Sequence, residues 1–336
     1  MKSELRMVPQ KKKLEACLFC YEPLEEASSD FHERCSKKMF RTALAPELPY
    51  SIDKISQLAG EVVRSRITVP GVQAKLSLHL ESPGGKNKDR TGTINRLTIV
   101  GLWGEYIFKP PTEEYPALPE IEDLTMHLAE IAGIKTVPHS LIRFNSGELA
   151  YITRRVDRAK DSEKIHMEDM CQLTERLTED KYHGSLELVG KAISRYSSNP
   201  GLDALNFFEV VLFSYLTGNA DMHLKNFSLL HSTVKTERLV GLAPAYDLVA
   251  TKLVIPSDKD ETALTMNGKK SNLTARDFEH FAKSLGLNQK AKERVQVRME
   301  ESLPRMESFI GRSFLSREMR SAYVNLIHQR SATVFG

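Results

Sequence analysis

The stretch Gly218-Asn219-Ala220-Asp221-Met222-His223-Leu224-Lys225-Asn226 decides how the fold of this chain is interpreted. It places Asp221 five residues before Asn226, directly after an apolar segment that is predicted to be helical. Kinases have this spacing in their catalytic loop, where the Asp accepts the proton of the attacking hydroxyl and the Asn ligates magnesium. A further acid, Asp247, follows in Ala245-Tyr246-Asp247-Leu248, where a kinase has its main metal-binding Asp. The three side chains together predict phosphoryl transfer.

The neighbours of these three residues are candidates for nucleotide binding: His223, Leu224, Lys225, Tyr246 and Leu248. Lys225 lies inside the loop, where it can contact the transferred phosphate. Asp221 taken alone is better explained as part of a polar loop that caps a buried helix. The presence of Asp221, Asn226 and Asp247 in this order favours a catalytic site, with Asn226 and Asp247 as magnesium ligands.

Two upstream segments are candidates for holding the phosphates of ATP. Lys109 ends an apolar run, and in a kinase such a Lys contacts the α- and β-phosphates and pairs with a Glu on the next helix. Glu122 is the candidate partner, with Glu120 in reserve; the alternative is an exposed strand-end Lys and a first-turn Glu favoured by the helix dipole. The run Thr68-Val69-Pro70-Gly71-Val72-Gln73-Ala74-Lys75 can form the phosphate loop. Its single Gly does not match G-x-G-x-x-G, and a β-turn is the alternative.

The charged run Arg154-Arg155-Val156-Asp157-Arg158 ends the β-rich part of the chain. Its position fits the hinge beneath the adenine of ATP, with Arg154, Arg155 and Val156 as candidate contacts. A solvated charge cluster at a strand end explains the run equally well.

Three of the four cysteines fall within the first 35 residues, in the pattern C-x2-C-x11-H-x2-C. Cys17, Cys20, His32 and Cys35 suit a tetrahedral zinc site, whose ligands can come as two close pairs. So short a segment has little core of its own, so metal binding would supply its folding free energy. Reduced cysteines and a surface His are the alternative. We expect a structural Zn²⁺ here, and we expect the isolated Cys171 to be a small buried residue.

The hydrophobic periodicity predicts an α+β, two-lobed protein-kinase-like fold. We expect a flexible leader over 1–13, a zinc-knuckle-like Cys/His unit over 14–45, a small β-rich ATP-binding lobe over 50–158 and a larger helical catalytic lobe over 159–336. The predicted strands are 73–80, 97–100, 106–108, 141–144 and 149–153, followed by a hairpin over 227–230 and 239–242. The predicted helices are 52–66, 120–132, 205–216 and 275–285, with a mostly helical tail over 290–330.

The composition is that of a globular protein. Of 336 residues, 41% are hydrophobic and 27% are charged. No apolar run approaches the roughly 20 residues needed to span a bilayer, and residues 1–13 lack the apolar core of a secretory signal. We therefore expect a cytoplasmic protein without a membrane partner. The net charge of +3 is too small to predict nucleic-acid binding by itself.

From about residue 66 to the C-terminus the chain resembles the HipA family of bacterial serine/threonine kinase toxins. The most specific matches are 218–228 and 242–248, and further matches lie at 70–76, 108–110, 153–158 and 169–172. The resemblance implies an ATP- and Mg²⁺-dependent protein kinase. In it Asp221 is the catalytic Asp, Asn226 and Asp247 are metal ligands, and Lys109 binds ATP. The larger HipA proteins carry an extra N-terminal subdomain where this chain has only the Cys/His unit, so the chain is most similar to the short HipT-like form.

Members of this family act as toxins of toxin–antitoxin systems and phosphorylate aminoacyl-tRNA synthetases, which halts translation. The resemblance thus implies a helix-turn-helix, HipB-like antitoxin, contact with DNA only through it, and for the short form a small HipS-like protein. Many members autophosphorylate a Ser in the phosphate loop. Thr68 takes that place here, with Ser65 nearby. We expect phosphorylated Thr68 to repel ATP, because a phosphate adds about −1.5 to −2 charge.

Two other functions compete with the protein kinase. Small-molecule phosphotransferases of the antibiotic or choline kinase type also have an Asp and a downstream Asn in a short loop, but the hinge and phosphate-loop matches favour the protein kinase. A non-catalytic scaffold that binds nucleic acid through the Cys/His unit has no need of Asp221, Asn226 and Asp247 together. Of the three functions, the sequence therefore favours the protein kinase toxin.

Overall fold

The computed structural model of the protein describes residues 16–25, 29–55, 57–58, 75–81, 95–100, 104–159, 163–234 and 237–336. Ser65, Thr68, the phosphate-loop residues 70–74 and the predicted leader lie outside the described residues. The chain divides into two compact units. The sheet unit comprises Met1–Thr112 and His139–Arg154, and the helical unit comprises Glu113–Pro138 and Arg155–Gly336.

An antiparallel sheet forms the centre of the sheet unit. Its strands are β1 (Leu76–Glu81), β2 (Arg96–Val100), β3 (Tyr106–Lys109), β4 (His139–Arg143) and β5 (Leu149–Arg154). They are arranged in the order β2-β1-β3-β5-β4, and every neighbouring pair is antiparallel. Each strand matches a predicted segment. The predicted alternation is seen at the start of β1, where Leu76 and Leu78 are buried and Ser77 between them is not, whereas Leu80 is only half-buried.

A short helix, α1 (Glu33–Phe40), belongs to the same unit. Its buried Phe40 ring contacts Phe31 edge-on at 5.4 Å and lies 5.9 Å from the ring of Tyr106 on β3. These aromatic contacts attach the segment that carries the cysteines to the sheet. Of the predicted helix over 52–66, residues 52–55 and 57–58 are helical, and the remaining positions lie outside the described residues.

The helical unit contains most of the helices. They are α2 (Leu118–Ile131), α3 (Met170–Leu173), α4 (Leu186–Tyr196), α5 (Pro200–Leu216), α6 (Thr251–Val254), α7 (Ala275–Ser284), α8 (Gln289–Gly311) and α9 (Arg317–Phe335). A small antiparallel sheet has the order β6-β7-β8, from Met167–Asp169, Ser228–Val234 and Glu237–Leu242. The predicted hairpin is confirmed as β7 and β8, whereas the three-residue β6 was not predicted. The tail consists of two helices, and Gly286 after α7 has φ +73°, as expected for a helix stop.

Helix α5 forms the centre of the helical unit. It begins with Pro200 at its first turn and is apolar on nearly all faces, which is the pattern of a fully buried helix. Its aromatic side chains contact α7, with ring centroids 5.7 Å apart for Phe207 and Phe281 and 5.1 Å apart for Tyr215 and Phe278. This packing fixes the helix from which the 218–226 loop begins.

Gly218 sets the direction of the chain as it leaves α5. Its φ is +70°, a region that side chains with a Cβ rarely adopt. A Cβ at this position would lie 2.6 Å from Leu326 Cδ2 and 3.0 Å from Lys252 Cβ. Backbone conformation and space therefore both require glycine where the loop begins.

No described helix is both long and apolar enough to cross a membrane. The predicted lobe boundaries stay a prediction. The compact units differ from them in that residues 113–138, which include α2, and residues 155–158 group with the helical unit.

Candidate active site

Backbone and side-chain hydrogen bonds hold the start of the 218–226 loop. Asn219 accepts the backbone N–H of Asp221 on its Oδ1 at 3.2 Å. The hydroxyl of Thr251, at the start of α6, accepts the N–H of Ala220 at 2.9 Å and donates to the carbonyl of Gly218 at 3.2 Å. These bonds hold residues 218–221 in place and so give Asp221 a defined position in the loop that follows α5.

Asn226 and Asp247 come together although they are distant in the sequence. Asn226 Nδ2 donates to Asp247 Oδ2 at 3.3 Å, and Asn226 Oδ1 accepts the backbone N–H of His223 at 3.1 Å. An amide oxygen has a second lone pair, so Asn226 and Asp247 both offer the oxygen ligands that magnesium prefers. Asp247 has φ +61°, a conformation that Asp and Asn tolerate better than most residues.

Tyr246 ties this pair to the small sheet. Its hydroxyl donates to the carbonyl of Lys225 at 3.0 Å and lies 2.5 Å from Ser228 Oγ at the start of β7. Burial raises the pKa of Tyr246, a hydrogen bond from Ser228 opposes this, and the charge of Asp247 raises it further. The phenol therefore stays neutral and serves as a fixed cross-link, and Leu248 beside it is fully buried.

Lys225 is paired with a carboxylate in the structure. Its Nζ lies 2.6 Å from Asp169 Oδ2. Asp169 also begins α3, where its Oδ1 accepts the N–H of Gln172 and its own N–H donates to Gln172 Oε1. The predicted contact of Lys225 with the transferred phosphate stays a prediction. The structure adds Asp169 as the residue that positions this Lys.

Tyr182 is a neighbour of Asp221 that the sequence did not reveal. Its hydroxyl donates to Asp221 Oδ1 at 2.8 Å, and its ring contacts His223 edge-on at 5.1 Å. Tyr182 precedes Asp221 by 39 residues and His223 by 41 residues in the sequence. A single Tyr in a polar turn carries no sequence signal for such a role.

The candidate ATP-binding residues are placed as follows. Lys109 ends β3 with 4% of its surface exposed, and its Nζ lies 5.3 Å from the centre of the Tyr151 ring. The alternative of an exposed strand-end Lys is therefore wrong. Glu122 is 1% exposed on α2, and burial raises the pKa of Glu120. The pairing of Lys109 with Glu122 stays a prediction, and Lys75 is exposed.

In the arginine-rich run, residues 155–158 form ion pairs with one another within the helical unit. Arg155 binds both oxygens of Asp157 at 2.9 and 2.7 Å, and Arg158 contacts the same carboxylate at 2.6 Å. Burial alone would raise the pKa of Asp157, but hydrogen bonds and charges from the two arginines outweigh it and lower that pKa. Asp157 and Arg158 are buried, so a solvated charge cluster is the wrong explanation for this part of the run. In the sheet unit Arg154 donates to the carbonyl of Lys38. The hinge role of Arg154, Arg155 and Val156 stays a prediction.

The structure brings the four predicted zinc ligands together. The ligand atoms of Cys17, Cys20, His32 and Cys35 all lie within 4.8 Å of one another. His32 Nδ1 is 3.4 Å from Cys20 Sγ and 3.7 Å from Cys35 Sγ. A tetrahedral zinc ion with bonds of about 2.0 Å to nitrogen and 2.3 Å to sulfur places such atoms about 3.6 Å apart. The cluster therefore has the dimensions of a zinc site, and Cys171, which is not part of it, is buried as expected.

Local structure explains this arrangement. Cys17 and Cys20 lie on a tight turn closed by the N–H of Tyr21 on the carbonyl of Cys17 at 2.9 Å. His32 and Cys35 lie on either side of the first turn of α1. His32 Nε2 lies 2.9 Å from the carbonyl of Pro23. Because a carbonyl only accepts, Nε2 carries the proton and Nδ1 presents its lone pair to the sulfurs, as a metal-binding His requires.

Residues 67–306 match the sequence model of the HipA-like C-terminal domain family. A Haemophilus influenzae protein named "Putative kinase" is 27% identical over 271 residues, which cover 72% of this chain and 74% of that protein. "Putative kinase Y4dM" of Sinorhizobium fredii is 30% identical over 241 residues, covering 67% of this chain and 55% of that protein. The serine/threonine-protein kinase toxin HipA of Shewanella oneidensis is 27% identical over 209 residues, covering 56% of this chain and 44% of that protein. The matched part of the chain thus covers between 44% and 74% of the length of these relatives.

A solved structure shares the fold. A chain of the complex of HipA, HipB and operator DNA from the Shewanella oneidensis toxin–antitoxin system matches with a TM-score of 0.61 and 19% identity, covering 85% of this chain and 70% of that chain. At this identity the match shows the fold and not the activity. The predicted α+β fold of the HipA kinase type is confirmed by it.

Proposed function

We propose that this chain, which belongs to the family defined by the HipA-like C-terminal domain, is an ATP- and Mg²⁺-dependent serine/threonine protein kinase. The observation that carries the proposal is the contact between Asn226 and Asp247 at 3.3 Å, formed at the end of the 218–226 loop that carries Asp221. A polar cap on a buried helix has no need of a second acid brought from the far end of a hairpin. Relatives named as kinases support the reaction class.

Asp221 is the proposed base. The acceptor hydroxyl oxygen forms a bond to the γ-phosphorus of ATP, the bond from that phosphorus to ADP breaks, and Asp221 takes the hydroxyl proton. Asn226 and Asp247 supply the oxygen donors that would hold magnesium, and the ion neutralises phosphate charge when it is bound. Lys109, Lys75 and the rest of the phosphate loop are the proposed phosphate contacts, and Arg154 to Val156 the proposed hinge.

The fold around the base supports this assignment. Gly218 and the hydrogen bonds of Asn219 and Thr251 fix the backbone that leads into Asp221. Catalysis of phosphoryl transfer depends mainly on positioning and charge stabilisation, which such a fixed loop provides. Lys225, held by Asp169, adds a positive charge beside the proposed magnesium ligands.

The Cys/His cluster is proposed as a structural zinc site. Four protein ligands complete a tetrahedral shell, so this site leaves no position for substrate chemistry. The zinc would join the turn that carries Cys17 and Cys20 to the start of α1 within the sheet unit.

The biological role is proposed from the family. Shewanella oneidensis HipA is named as a toxin, and its solved complex contains HipB and operator DNA. By that likeness the chain is proposed to be the toxin of a toxin–antitoxin system with a HipB-like antitoxin, and in the short form a HipS-like protein. An aminoacyl-tRNA synthetase is the proposed substrate. Thr68 is the proposed autophosphorylation site, with Ser65 as the neighbouring candidate.

Replacing the base tests the reaction. We expect the purified protein to transfer ³²P from [γ-³²P]ATP to a protein in a heat-treated bacterial lysate. Asp221→Asn should lower the rate by about 10²- to 10⁴-fold, the usual contribution of a general base. Asp53→Asn, at an exposed position of the sheet unit, is the control and should leave the rate unchanged. Full activity of Asp221→Asn would remove the base assignment. Labelling of an aminoglycoside or choline, but of no protein, would support the small-molecule phosphotransferase instead.

A further inference from the structure

We propose that Tyr182 is a positioning residue for phosphoryl transfer, whose hydrogen bond holds the Asp221 carboxylate in the orientation that accepts the substrate proton. This inference rests on the proposed kinase function and adds a residue to its site. The Tyr182 hydroxyl donates directly to Asp221 Oδ1 at 2.8 Å. The bond reaches the reactive group itself and not the backbone of the loop.

The segment that carries Tyr182 is attached to the loop at two further points. The ring of Tyr182 contacts His223 edge-on, with centroids 5.1 Å apart. The carbonyl of Lys181 accepts the N–H of Leu224 at 3.1 Å. Together with the hydrogen bond to Asp221, the ring contact and the backbone hydrogen bond restrict the movement of Tyr182 relative to the loop.

The segment is also fixed on its outer side. The guanidinium of Arg176 donates to the carbonyl of His183 at 2.7 Å, and the N–H of His183 donates to the carbonyl of Asp180 at 2.8 Å. These bonds surround Tyr182 with a closed turn that follows the 3-10 segment Thr178–Asp180. The tyrosine is therefore presented by a rigid turn, although 37% of its surface is exposed.

The chemistry suits a positioning role. Burial and the charge of Asp221 raise the pKa of Tyr182, so the phenol keeps its proton and remains a donor. The terminal torsion of an Asp side chain has a broad, roughly two-fold preference and is easily rotated. A donor on one carboxylate oxygen selects one orientation, and proton transfer requires alignment as well as a short distance.

Tyr182→Phe tests this, because it removes one oxygen and keeps the ring on His223. We expect kcat to fall about 10- to 100-fold, the range for losing a hydrogen bond to a charged group. The KM for ATP and the melting temperature should stay at their wild-type values. Tyr196→Phe is the matched control, since Tyr196 is also 38% exposed but lies on α4 without a contact to Asp221 among the described residues. It should leave all three quantities unchanged.

The outcomes separate this inference from the kinase proposal. Wild-type kcat in Tyr182→Phe overturns the positioning role while the kinase proposal stands. A lowered melting temperature or a raised KM for ATP that accounts for the loss shows a purely structural tyrosine and also overturns it. A wild-type protein that binds ATP but transfers no phosphate contradicts the kinase proposal, and this role with it.

Discussion

Removing the zinc ligands should unfold the Cys/His segment of the sheet unit, which runs from the turn at Cys17 and Cys20 to α1. The perturbation is the double replacement of Cys17 and Cys20 by Ser, which leaves His32 and Cys35 with half of the tetrahedral shell. Both replaced residues lie on the tight turn, so the amino-acid sequence of α1 is left unchanged. Serine is close to cysteine in size but is a poor ligand for zinc, so the change removes the metal with little loss of volume.

The expected magnitude follows from what attaches the segment. Structural zinc contributes about 10–16 kcal/mol of binding free energy in small zinc domains, which is as large as the whole stability of an ordinary domain at about 5–15 kcal/mol. Helix α1 has 8 residues, fewer than the roughly 12–15 at which an isolated helix becomes marginally stable. Without zinc the segment should therefore not stay folded.

Unfolding of the segment also removes the hydrogen bonds that connect it to the sheet. The carbonyl of Leu18 accepts the N–H of Leu141 at 3.2 Å and the hydroxyl of Ser140 at 3.0 Å. Asp30 accepts the guanidinium of Arg143 at 3.1 Å. At about 1 kcal/mol for each neutral bond and up to about 3 for a bond to a charged group, their loss should destabilise the sheet unit by roughly 3–5 kcal/mol. This corresponds to a fall of about 10 °C in its melting temperature.

The assay combines metal analysis with calorimetry. Wild-type protein should contain about one zinc ion per chain, and the double variant should contain none and melt about 10 °C lower in its sheet-unit transition. Cys171→Ser is the control, because Cys171 is a buried cysteine outside the cluster, and it should keep its zinc. A double variant with an unchanged melting transition, or wild-type protein purified without zinc, would refute the reasoning.

Three further predictions concern the helical unit. Gly218→Ala should lower kcat and cost about 2 kcal/mol or more of stability, because it forces a side chain into a positive φ and a filled space; unchanged thermal unfolding would contradict this. Asp203→Ala should cost about 2–4 kcal/mol in urea unfolding, since its buried carboxylate accepts the Ser197 hydroxyl and the N–H of Leu242. Burial alone would raise the pKa of Asp277, but hydrogen bonds from neighbours that include Lys269 lower it. Because the folded pKa is depressed, its contribution of about 2 kcal/mol is complete above about pH 4 and is lost progressively as the pH falls towards the folded pKa. Asp277→Asn should thus be less stable than wild type at pH 7, with a deficit that shrinks steadily below pH 4, and a deficit that stays the same from pH 7 to pH 2 would count against this.

The sequence predicted the parts of the fold that depend on local patterns. Helix α5 is apolar on nearly all faces over consecutive turns and is buried along most of its length, and the alternation in β1 matches burial over its first three residues. Strand β6 was missed because three residues carry no readable period; it forms only because β7 pairs with it. The spacing of Cys17, Cys20, His32 and Cys35 was enough to predict a cluster, since two short pairs have few ways to meet.

The candidate site was predictable only where residue types and spacing carry the chemistry. The Asp and Asn of the 218–226 loop and Asp247 follow a fixed order, so they could be named from the sequence. The contacts that support these residues could not be predicted from the sequence. Tyr182 reaches Asp221, and Asp169 reaches Lys225, through tertiary packing that joins segments tens of residues apart. Ordinary Tyr and Asp residues in turns are too common for their type alone to signal these roles.

The central claim is that Asp221, Asn226 and Asp247 form one magnesium-dependent phosphoryl-transfer site. Transfer of ³²P from [γ-³²P]ATP by the purified protein, measured with Mg²⁺ and with EDTA for the wild type and for Asp247→Asn, tests it most directly. Asn tolerates the φ of +61° at this position, so the variant should keep the fold and change the metal ligand only. We expect transfer by the wild type with Mg²⁺, and none above background with EDTA or in the variant. Equal transfer in EDTA, or by a folded Asp247→Asn protein, would contradict the claim.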